Sequence, residues 1–360
     1  MGLFKNIFKK EHSGDKAPKG FHTLEVAEVT RLTADSVKVT FAVPDALSTT
    51  FRYTPGQYLN LCVEIDGKEE RRSYSICSAP SEPLAIAVKS VEGGKVSRWA
   101  TGQLKVGMPV FVAHPFGNFL LEDKHQTIVA FAAGSGITPI LSMAKAVNQR
   151  AGKMYLFYGN RKKDAIMFHT ELEALGHINL VPYLSGEILD GFKSGRLDKE
   201  AISNEIKANL NLLKADAFFL CGPEEMIKAG IEVLELFGVP KEKLHYELFT
   251  TPVLMEQQYA VSTSDYAGES KITVILDDEQ MTFKLNSDGK TILDAVNKEG
   301  YDAPYSCRGG VCSTCKAKVL KGKATMTLNY SLTDQEVADG YILTCQAHPA
   351  SEELTVSYDA

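Results

Sequence analysis

No stretch of this 360-residue sequence approaches the run of about 18 to 20 apolar residues that a membrane-spanning helix needs. The N-terminus also lacks the apolar core of a secretory signal peptide. Basic residues are not in excess, because 39 Lys and Arg stand against 45 Asp and Glu, for a net charge of −6. Since nucleic acids are bound by basic surfaces, nucleic acid is not expected as a partner. These absences predict a cytoplasmic protein without an integral membrane segment.

Residues 1–20 are predicted to be an N-terminal tail. They place four apolar residues at helical spacing beside lysines, so a helix that binds weakly to a membrane surface or a partner is the alternative to a solvated tail. The N-myristoylation pattern is broken, because Asn6 stands where Ser or Thr is required.

The number of cysteines is odd. The sequence has seven, and an odd number in a cytoplasmic chain argues against a disulfide framework. Cys62 and Cys77 lie in apolar surroundings, so we expect them to be packing residues, and Cys221 belongs to a motif discussed below.

The other four cysteines form a pattern. Cys307, Cys312 and Cys315 have the spacing C-x4-C-x2-C, and Cys345 follows in YILTCQAHP. This is the plant-type [2Fe–2S] spacing, in which four thiolates hold two irons. A four-cysteine zinc site is the alternative, but such sites usually have two C-x2-C pairs and this sequence has one. The spacing therefore predicts a [2Fe–2S] cluster.

The chain divides into regions of different periodicity. Residues 21–122 carry many short alternating or apolar runs between Gly, Pro and Asp turns, which predicts an antiparallel β-barrel. In residues 123–250 buried strands alternate with helices, which predicts a parallel, doubly wound α/β sheet. Residues 251–269 have little periodicity and are predicted to be a linker. Residues 270–360, with strand, strand, helix, cysteine loop and strand, resemble the α+β, β-grasp fold of plant-type ferredoxins.

Four motifs stand in order along the first two regions: RRSYSICSAP, GGKVSRW, AAGSGITP and CGPEEM. The glycine-rich turn in the third lies between a strand and a helix, where backbone N–H groups can hold phosphate. Packing alone explains many such turns, and this one is not GxGxxG. Taken together and in this order, the motifs resemble the ferredoxin–NADP reductase superfamily of flavoproteins.

The resemblance implies a flavin site. Arg72 would pair with the flavin pyrophosphate, Tyr74 would pack on the isoalloxazine, and Ser75 would hydrogen-bond near the flavin N5. Gly94 and Ser97 would hold phosphate at a helix N-terminus. A superfamily loop beneath the flavin is matched by Pro115, Gly117 and Phe119.

The resemblance also implies a site for the nicotinamide nucleotide. Its phosphates would be held by Gly134, Ser135, Gly136 and Thr138. Its nicotinamide would be bordered by Cys221, Gly222 and Pro223. Glu247 and Phe249, in HYELF, match the acidic and aromatic pair that ends such domains. Phe249 would cover the flavin until the nicotinamide displaces it, and we expect Tyr74, Ser75, Cys221 and the HYELF pair to be the catalytic residues.

Specificity for NADPH or NADH depends on a basic stretch after YGN. Arg161, Lys162 and Lys163 stand near the place where the superfamily binds the 2′-phosphate, and Ser185 ends the next strand. Gly186 occupies a position where many relatives have Arg, which weakens the prediction of NADPH. A solvated basic loop is the alternative, and NADPH is the expected substrate.

The order of flavin, nucleotide and ferredoxin-like domains resembles the reductase components of bacterial multicomponent oxygenases, such as those that serve phenylacetyl-CoA epoxidase and 3-ketosteroid 9α-hydroxylase. The resemblance implies an NAD(P)H-dependent oxidoreductase that passes electrons through FAD and a [2Fe–2S] cluster to a partner oxygenase. A flavin has to stand between the nicotinamide and the cluster, because hydride carries two electrons and the cluster takes one at a time.

Three alternatives remain open at this point. The flavin is FMN in some relatives with this domain order. The acceptor could be a hybrid-cluster or haem protein, since such a reductase would share every motif. A redox sensor that binds flavin and cluster without turnover would also share them.

Overall fold

Three large sheets follow one another along the chain in the computed structural model, which describes residues 17–249 and 265–360. Most of the predicted N-terminal tail and residues 251–264 of the predicted linker lie outside the described residues. Among the residues described, no helix is both long enough and apolar enough to cross a membrane.

The first sheet is antiparallel and has six strands in the order β4-β3-β6-β1-β2-β5. Its strands are β1 Phe21–Thr33, β2 Ser36–Ala42, β3 Tyr58–Ile65, β4 Lys68–Ser75, β5 Ala85–Lys89 and β6 Pro109–Ala113. The two edges of this order meet at a bridge between Ile76, just after β4, and Ile86 of β5. Helix α1, Lys95–Gly102, lies against β3, β4 and β5. The prediction of an antiparallel sheet in this region is confirmed.

The second sheet is parallel, with the order β10-β9-β8-β7-β11-β12. Its strands are β7 Thr127–Ala133, β8 Lys153–Asn160, β9 Ile178–Leu184, β10 Lys193–Ser194, β11 Ala217–Cys221 and β12 Leu244–Glu247. The helices between them are α2 Ile137–Gln149, α3 His169–Glu173, α4 Lys199–Ala208 and α5 Glu224–Leu236. The prediction of a parallel sheet is confirmed.

Both faces of the second sheet are covered. Ile128 and Ala130 of β7 pack in one apolar cluster with α2, whereas Val129 and Phe131 pack in another with α4 and α5. Alternate residues of a strand point to opposite faces, so this strand is apolar throughout. The strand order reverses between β7 and β11, which opens a crevice at the carboxyl ends of these two strands.

The third sheet has the order β14-β13-β19-β15-β17, and β16 pairs with β18 beside it. The strands are β13 Glu269–Leu276, β14 Glu279–Asn286, β15 Lys316–Lys321, β16 Ala324–Met326, β17 Tyr341–Leu343, β18 Ala347–Pro349 and β19 Glu353–Ser357. Its helices are α6 Ile292–Lys298 and α7 Asp334–Ala338. Strand β13 begins at Glu269, the last residue of the predicted linker. It turns into β14 through Asp277 and Asp278, both with positive φ, as a tight two-residue hairpin requires.

Candidate functional site

Arg72, predicted to bind the flavin pyrophosphate, lies beside the start of α1. Its guanidinium is half exposed and stands 3.3 Å from a carboxylate oxygen of Glu70. Lys95, the first residue of α1, donates to the other oxygen of Glu70, and this hydrogen bond lowers the pKa of that carboxyl. Two cations and a helix N-terminus thus converge on one small region, an arrangement suited to a phosphate.

The turn that opens α1 depends on Gly94 and Ser97. A Cβ at position 94 would overlap the hydroxyl oxygen of Ser97, so only glycine fits. The Ser97 hydroxyl accepts from Val91 N–H at 3.3 Å and donates to the Gly94 carbonyl at 3.2 Å. The structure therefore places Ser97 as a support of this turn, and its contact with phosphate stays a prediction.

Tyr74 and Ser75 end β4, next to the crevice of the second sheet. The Ser75 hydroxyl donates to Glu247 Oε2 at 3.1 Å and so joins β4 to the end of β12. Burial raises the pKa of Glu247 to about 8, against the opposing effect of the Ser75 hydrogen bond. Burial also raises the pKa of Tyr74, whose ring packs on the core of the first sheet. Glu247 can therefore hold a proton near neutral pH.

The glycine-rich turn joins β7 to α2 directly at the crevice. Gly134 has a φ of +54°, and its carbonyl accepts a hydrogen bond from Tyr158 at 3.0 Å. A Cβ at Gly136 would overlap the backbone carbonyl of Cys221. Thr138 is buried and donates to the Ser135 carbonyl at 3.0 Å. These contacts hold the turn rigidly against the end of β11.

The motif after β11 lies in the same place. Cys221 is fully buried, and burial raises the pKa of its thiol, with the neighbouring Glu247 adding to the effect. Cys221 and Glu247 are paired in register between β11 and β12. A Cβ at Gly222 would lie 2.7 Å from Met226 Cε, and Pro223 stands immediately before α5. Residues predicted from three separate motifs thus meet at one edge of the sheet.

The remaining predicted nucleotide residues lie on the surface around this edge. Phe249, two residues after Glu247, is 44% exposed. Arg161 and the two lysines after it are exposed at the end of β8. Gly186 N–H donates to the Arg161 carbonyl at 2.8 Å, and a Cβ at position 186 would lie 2.8 Å from the same oxygen. Glycine at 186 is therefore explained by the close approach of Arg161.

The loop predicted to lie beneath the flavin borders the same crevice. Gly117 has a φ of +115°, and a Cβ there would press on the ring of Tyr58. Phe119 is buried and packs edge-on against Phe219 of β11 at 5.3 Å between ring centroids. Pro115 precedes Phe116, whose ring stacks on that of Tyr58.

The four predicted cluster ligands lie together in two pairs. A hydrogen bond from the Cys307 thiol lowers the pKa of Cys312 and correspondingly raises that of Cys307. Cys315 and Cys345 shift one another in the same way. Two pairs of adjacent thiols are the arrangement that a two-iron, four-thiolate cluster requires. Of the described residues, no group of three or more His, Cys, Asp or Glu is arranged around a single metal ion.

Donors surround the sulfurs of the cysteine loop. Cys307 Sγ accepts from Gly309 N–H at 3.3 Å, and Cys312 Sγ accepts from the Thr314 hydroxyl at 3.2 Å. Arg308 has a positive φ of 56°, so the loop curls through the left-handed region even at a non-glycine residue. Such donors stabilise anionic thiolates and bridging sulfur, so the loop fits a [2Fe–2S] cluster.

Tyr58 is a site residue that the sequence analysis missed. It stands opposite Ser75 in the β3–β4 register and is 5% exposed. Its hydroxyl donates to the backbone carbonyl of Cys312, so one side chain touches both the flavin side and the cluster loop. The two residues are 254 positions apart, and no local pattern signals a contact over that distance.

Arg71 was also missed, although its neighbour Arg72 was identified. Its guanidinium is buried, with Nε 2.6 Å from Glu69 and Nη2 2.8 Å from Asp302 of the cluster domain. It also lies over the ring of Tyr305, at 4.5 Å from the centroid. Adjacent strand residues point to opposite faces, so β4 presents one arginine to the phosphate region and the other to the domain interface.

A crevice of about 380 Å³ joins the three sheets. Its lining includes Tyr58, Phe119, Glu247, Cys312 and Tyr330. It lies between the predicted flavin-binding strand end, the carboxyl edge of the parallel sheet and the cluster loop.

Comparison with known families agrees with this geometry. Residues 23–120 match the model described as an oxidoreductase FAD-binding domain, and residues 131–230 match an oxidoreductase NAD-binding domain. Residues 274–350 match a 2Fe-2S iron-sulfur cluster binding domain. The predicted cofactor classes are thereby confirmed.

Relatives match this chain over nearly its whole length. The chain is 39% identical over 353 residues to a component of the 1,2-phenylacetyl-CoA epoxidase of Escherichia coli (strain K12), covering 94% of this chain and 98% of that protein. The chain belongs to the oxygenase reductase family. It is also 32% identical over 349 residues to the 3-ketosteroid-9-alpha-monooxygenase ferredoxin reductase component of Rhodococcus rhodochrous, covering 93% and 96% of the two chains. The resemblance predicted from the motifs is confirmed.

A solved structure shares the fold of this oxygenase reductase. Phthalate dioxygenase reductase, described as a modular structure for electron transfer from pyridine nucleotides to [2Fe–2S], superposes with a TM-score of 0.57. The match covers 94% of this chain and 98% of that one, at 22% identity. It supports the three-part fold.

Proposed function

We propose that this reductase passes electrons from a nicotinamide nucleotide, through FAD and a [2Fe–2S] cluster, to an oxygenase of the phenylacetyl-CoA epoxidase type. The observation that carries the proposal is the meeting of the three sheets at one crevice, which Tyr58, Glu247 and Cys312 line. Ser75 donates to Glu247, and Tyr58, opposite Ser75 in the sheet, donates to the Cys312 carbonyl. A bound flavin converts the two-electron chemistry of hydride into the single-electron steps that a [2Fe–2S] cluster accepts. The 39% identity to the epoxidase component supports the choice of acceptor.

The residues of this chain bind and orient the cofactors. Arg72, Lys95 and the start of α1 bind the flavin pyrophosphate, and the Gly134–Thr138 turn binds the phosphates of the nucleotide. Glu247 holds a proton on its carboxyl group beside Ser75, because burial raises its pKa to about 8. Cys221 and Gly222 border the nicotinamide from the end of β11.

NADPH is the proposed donor. Arg161 is exposed at the end of β8, and no ion pair joins it to a carboxylate within residues 17–249 and 265–360. Its guanidinium can therefore pair bidentately with a 2′-phosphate. Gly186, where an arginine was expected, leaves room for the Arg161 backbone.

The predicted domain bounds, 21–122, 123–250 and 270–360, are also part of the proposal. Each contains one of the matched family regions. The Ile76–Ile86 bridge supports closure of the first sheet into a barrel. The strand order of the third sheet supports a β-grasp fold. Seven unpaired cysteines support a cytoplasmic location.

Reconstitution with a purified phenylacetyl-CoA epoxidase oxygenase tests the acceptor and the donor together. We expect epoxide to form in proportion to the nucleotide consumed, and faster with NADPH than with NADH at equal concentration. Ferricyanide reduction serves as the control for a working flavin site. Rapid ferricyanide reduction without epoxide would refute the proposed acceptor and favour a haem or hybrid-cluster protein.

A further inference from the structure

A chain of hydrogen bonds runs from the flavin-binding sheet into the cluster loop. Ser73 of β4 bonds Ser306 of the loop at 2.8 Å and donates to Asn60 Oδ1 of β3 at 2.7 Å. The Asn60 amide nitrogen donates to Thr314 Oγ1 at 3.1 Å. Thr314 is one of the two residues between the predicted cluster ligands Cys312 and Cys315. The chain therefore ends at the cluster.

The direction of each bond follows from the number of protons available. A serine hydroxyl has one proton, so Ser73 donates to Asn60 and accepts from Ser306. With its amide oxygen occupied in this way, Asn60 turns its NH₂ group toward Thr314. Thr314 Oγ1 is then an acceptor from Asn60, and its own proton is left for another group.

Three acceptors lie within reach of that proton: the sulfur of Cys312 is the nearest, and the hydroxyl oxygen of Tyr58, at 3.3 Å, is one of the other two. The hydroxyl of Thr314 is 3.2 Å from Cys312 Sγ and 3.4 Å from the Cys312 carbonyl oxygen. The hydroxyl of Tyr58 already donates to the same carbonyl. Asn60 is fully buried and Thr314 is 7% exposed, so water does not replace these partners. The proton of Thr314 is thus directed to the sulfur.

We propose that Tyr58 and Asn60 are positioning residues that direct the Thr314 hydroxyl onto Cys312 Sγ and thereby raise the reduction potential of the cluster. A hydrogen bond to a ligand sulfur stabilises the reduced cluster more than the oxidised one, because the reduced cluster carries one more negative charge. Both positioning residues belong to the flavin-binding sheet. Residues of the flavin-binding sheet would therefore make the cluster easier to reduce.

This inference rests on the cluster assignment within the proposed function. It adds a role for residues outside the cysteine motif and outside the flavin motifs. The relevant quantity is the midpoint potential of the cluster in the full chain, followed by EPR during a redox titration. That quantity does not depend on turnover or on the partner oxygenase.

Thr314→Val and Thr314→Ser form a matched pair. Valine keeps the volume and removes the hydroxyl, and serine keeps the hydroxyl. We expect Thr314→Val to lower the equilibrium constant for one-electron reduction about tenfold, which is about 59 mV for a one-electron couple. Thr314→Ser should keep the wild-type potential. Equal potentials in wild type and Thr314→Val would overturn the inference.

Tyr58→Phe tests the contribution of the flavin-binding sheet. Without the tyrosine hydroxyl, the Cys312 carbonyl is open to Thr314, so the potential should fall toward that of Thr314→Val. A rise would mean that Thr314 donates to the Tyr58 oxygen in the wild type, and would overturn the assignment. Because both changes act through one hydroxyl, the double variant should have the potential of Thr314→Val alone. Additive shifts would show that Tyr58 acts by another route and would overturn its assignment.

Asn60→Leu tests the amide of the chain. It should lower the potential by a smaller factor, about twofold or about 18 mV, because it removes only the polarisation of the Thr314 hydroxyl. A rise in potential would mean that Thr314 donates to Asn60 in the wild type, and would overturn the inference.

Lys19→Ala is the control for domain contact. Lys19, in the N-terminal tail just before β1, pairs with Asp277 of the cluster domain, far from the cysteines in sequence. The cluster of the Lys19→Ala variant should have the wild-type midpoint potential. A fall as large as that in Thr314→Val would overturn the assignment of the effect to Thr314. A wild-type protein with flavin but no [2Fe–2S] EPR signal would overturn the cluster assignment itself. A normal signal with unchanged potentials in all variants overturns the inference alone.

Discussion

Single residues acquire their roles from the sheet face on which they stand. Arg71 and Arg72 are neighbours in the sequence, yet Arg71 is buried against Asp302 and Arg72 is half exposed near α1. The resemblance of RRSYSICSAP to the reductase superfamily implied Arg72, and a cation beside a helix start suits a pyrophosphate. The role of Arg71 depends on a partner 231 residues away, which no local pattern encodes.

Arg72→Ala is expected to weaken flavin binding about 10- to 100-fold, since a hydrogen bond to a charged group contributes about 1.5 to 3 kcal/mol. Fluorescence titration of the deflavinated protein with FAD measures the dissociation constant. Arg52→Ala is the control, because Arg52 is an exposed arginine that precedes β3 and belongs to none of the four motifs. Flavin affinity that is the same in both variants would remove Arg72 from the site.

Glu247 gives a prediction about stability and pH. Its pKa in the folded protein is about 8, above the ordinary value of 4.5, so between these values the folded state holds a proton that the unfolded state lacks. The contribution of this carboxyl to stability is therefore greatest at low pH and falls as pH rises through that window. Gln does not titrate, so Glu247→Gln should lose this part of the dependence of stability on pH.

Thermal unfolding of wild type and Glu247→Gln, measured between about pH 5 and about pH 8, checks the prediction. The wild type should lose more stability than the variant as the pH rises. Ser75→Ala removes the hydrogen bond that lowers the pKa of Glu247, so stability should fall more steeply with pH in this variant than in the wild type. Parallel curves for wild type and Glu247→Gln would mean that this carboxyl has an ordinary pKa.

Among the elements, the turns after β7 and β11, which are proposed to bind the nucleotide, approach each other closely at Gly136 and Cys221. Gly136→Ala should therefore destabilise the protein by about 1 to 3 kcal/mol, since its Cβ would overlap the rigid Cys221 carbonyl. It should also weaken NADPH binding. Gly176→Ala is the matched control, because a Cβ there meets nothing within 4 Å. If Gly136→Ala and Gly176→Ala have the same unfolding temperature and the same nucleotide affinity, the packing described for this turn is contradicted.

Elements with a local signature could be predicted from the sequence, and those defined by distant contacts could not. The cysteine spacing and the strand–turn–helix pattern of AAGSGITP are short-range features, and the structure brings their residues together as expected. The side of β3 that carries Tyr58 and Asn60 looked like an ordinary strand face. Its function arises only when the cluster domain packs on it, and periodicity does not report which surface a strand meets.

The whole molecule has three sheets arranged around one crevice. Tyr58 of the first sheet, Glu247 of the second and Cys312 of the cysteine loop border that space, and the Ser75 hydroxyl joins the first sheet to Glu247. Under the proposed function, electrons from the nucleotide would reach the cysteine loop on the side where Tyr58 contacts it. The central claim is that the cluster is the exit for these electrons.

Rapid mixing of the full chain and of Cys312→Ser with NADPH and the partner oxygenase tests that claim most directly. The thiolates belong to a separate sheet from the flavin motifs, so the variant should keep its flavin and lose the [2Fe–2S] EPR signal. Its flavin should still be reduced by NADPH, and ferricyanide should still be consumed. Reduction of the oxygenase should be lost or slowed by orders of magnitude. A variant without the cluster signal that reduces the oxygenase at the wild-type rate would contradict the account, because electrons would then leave directly from the flavin.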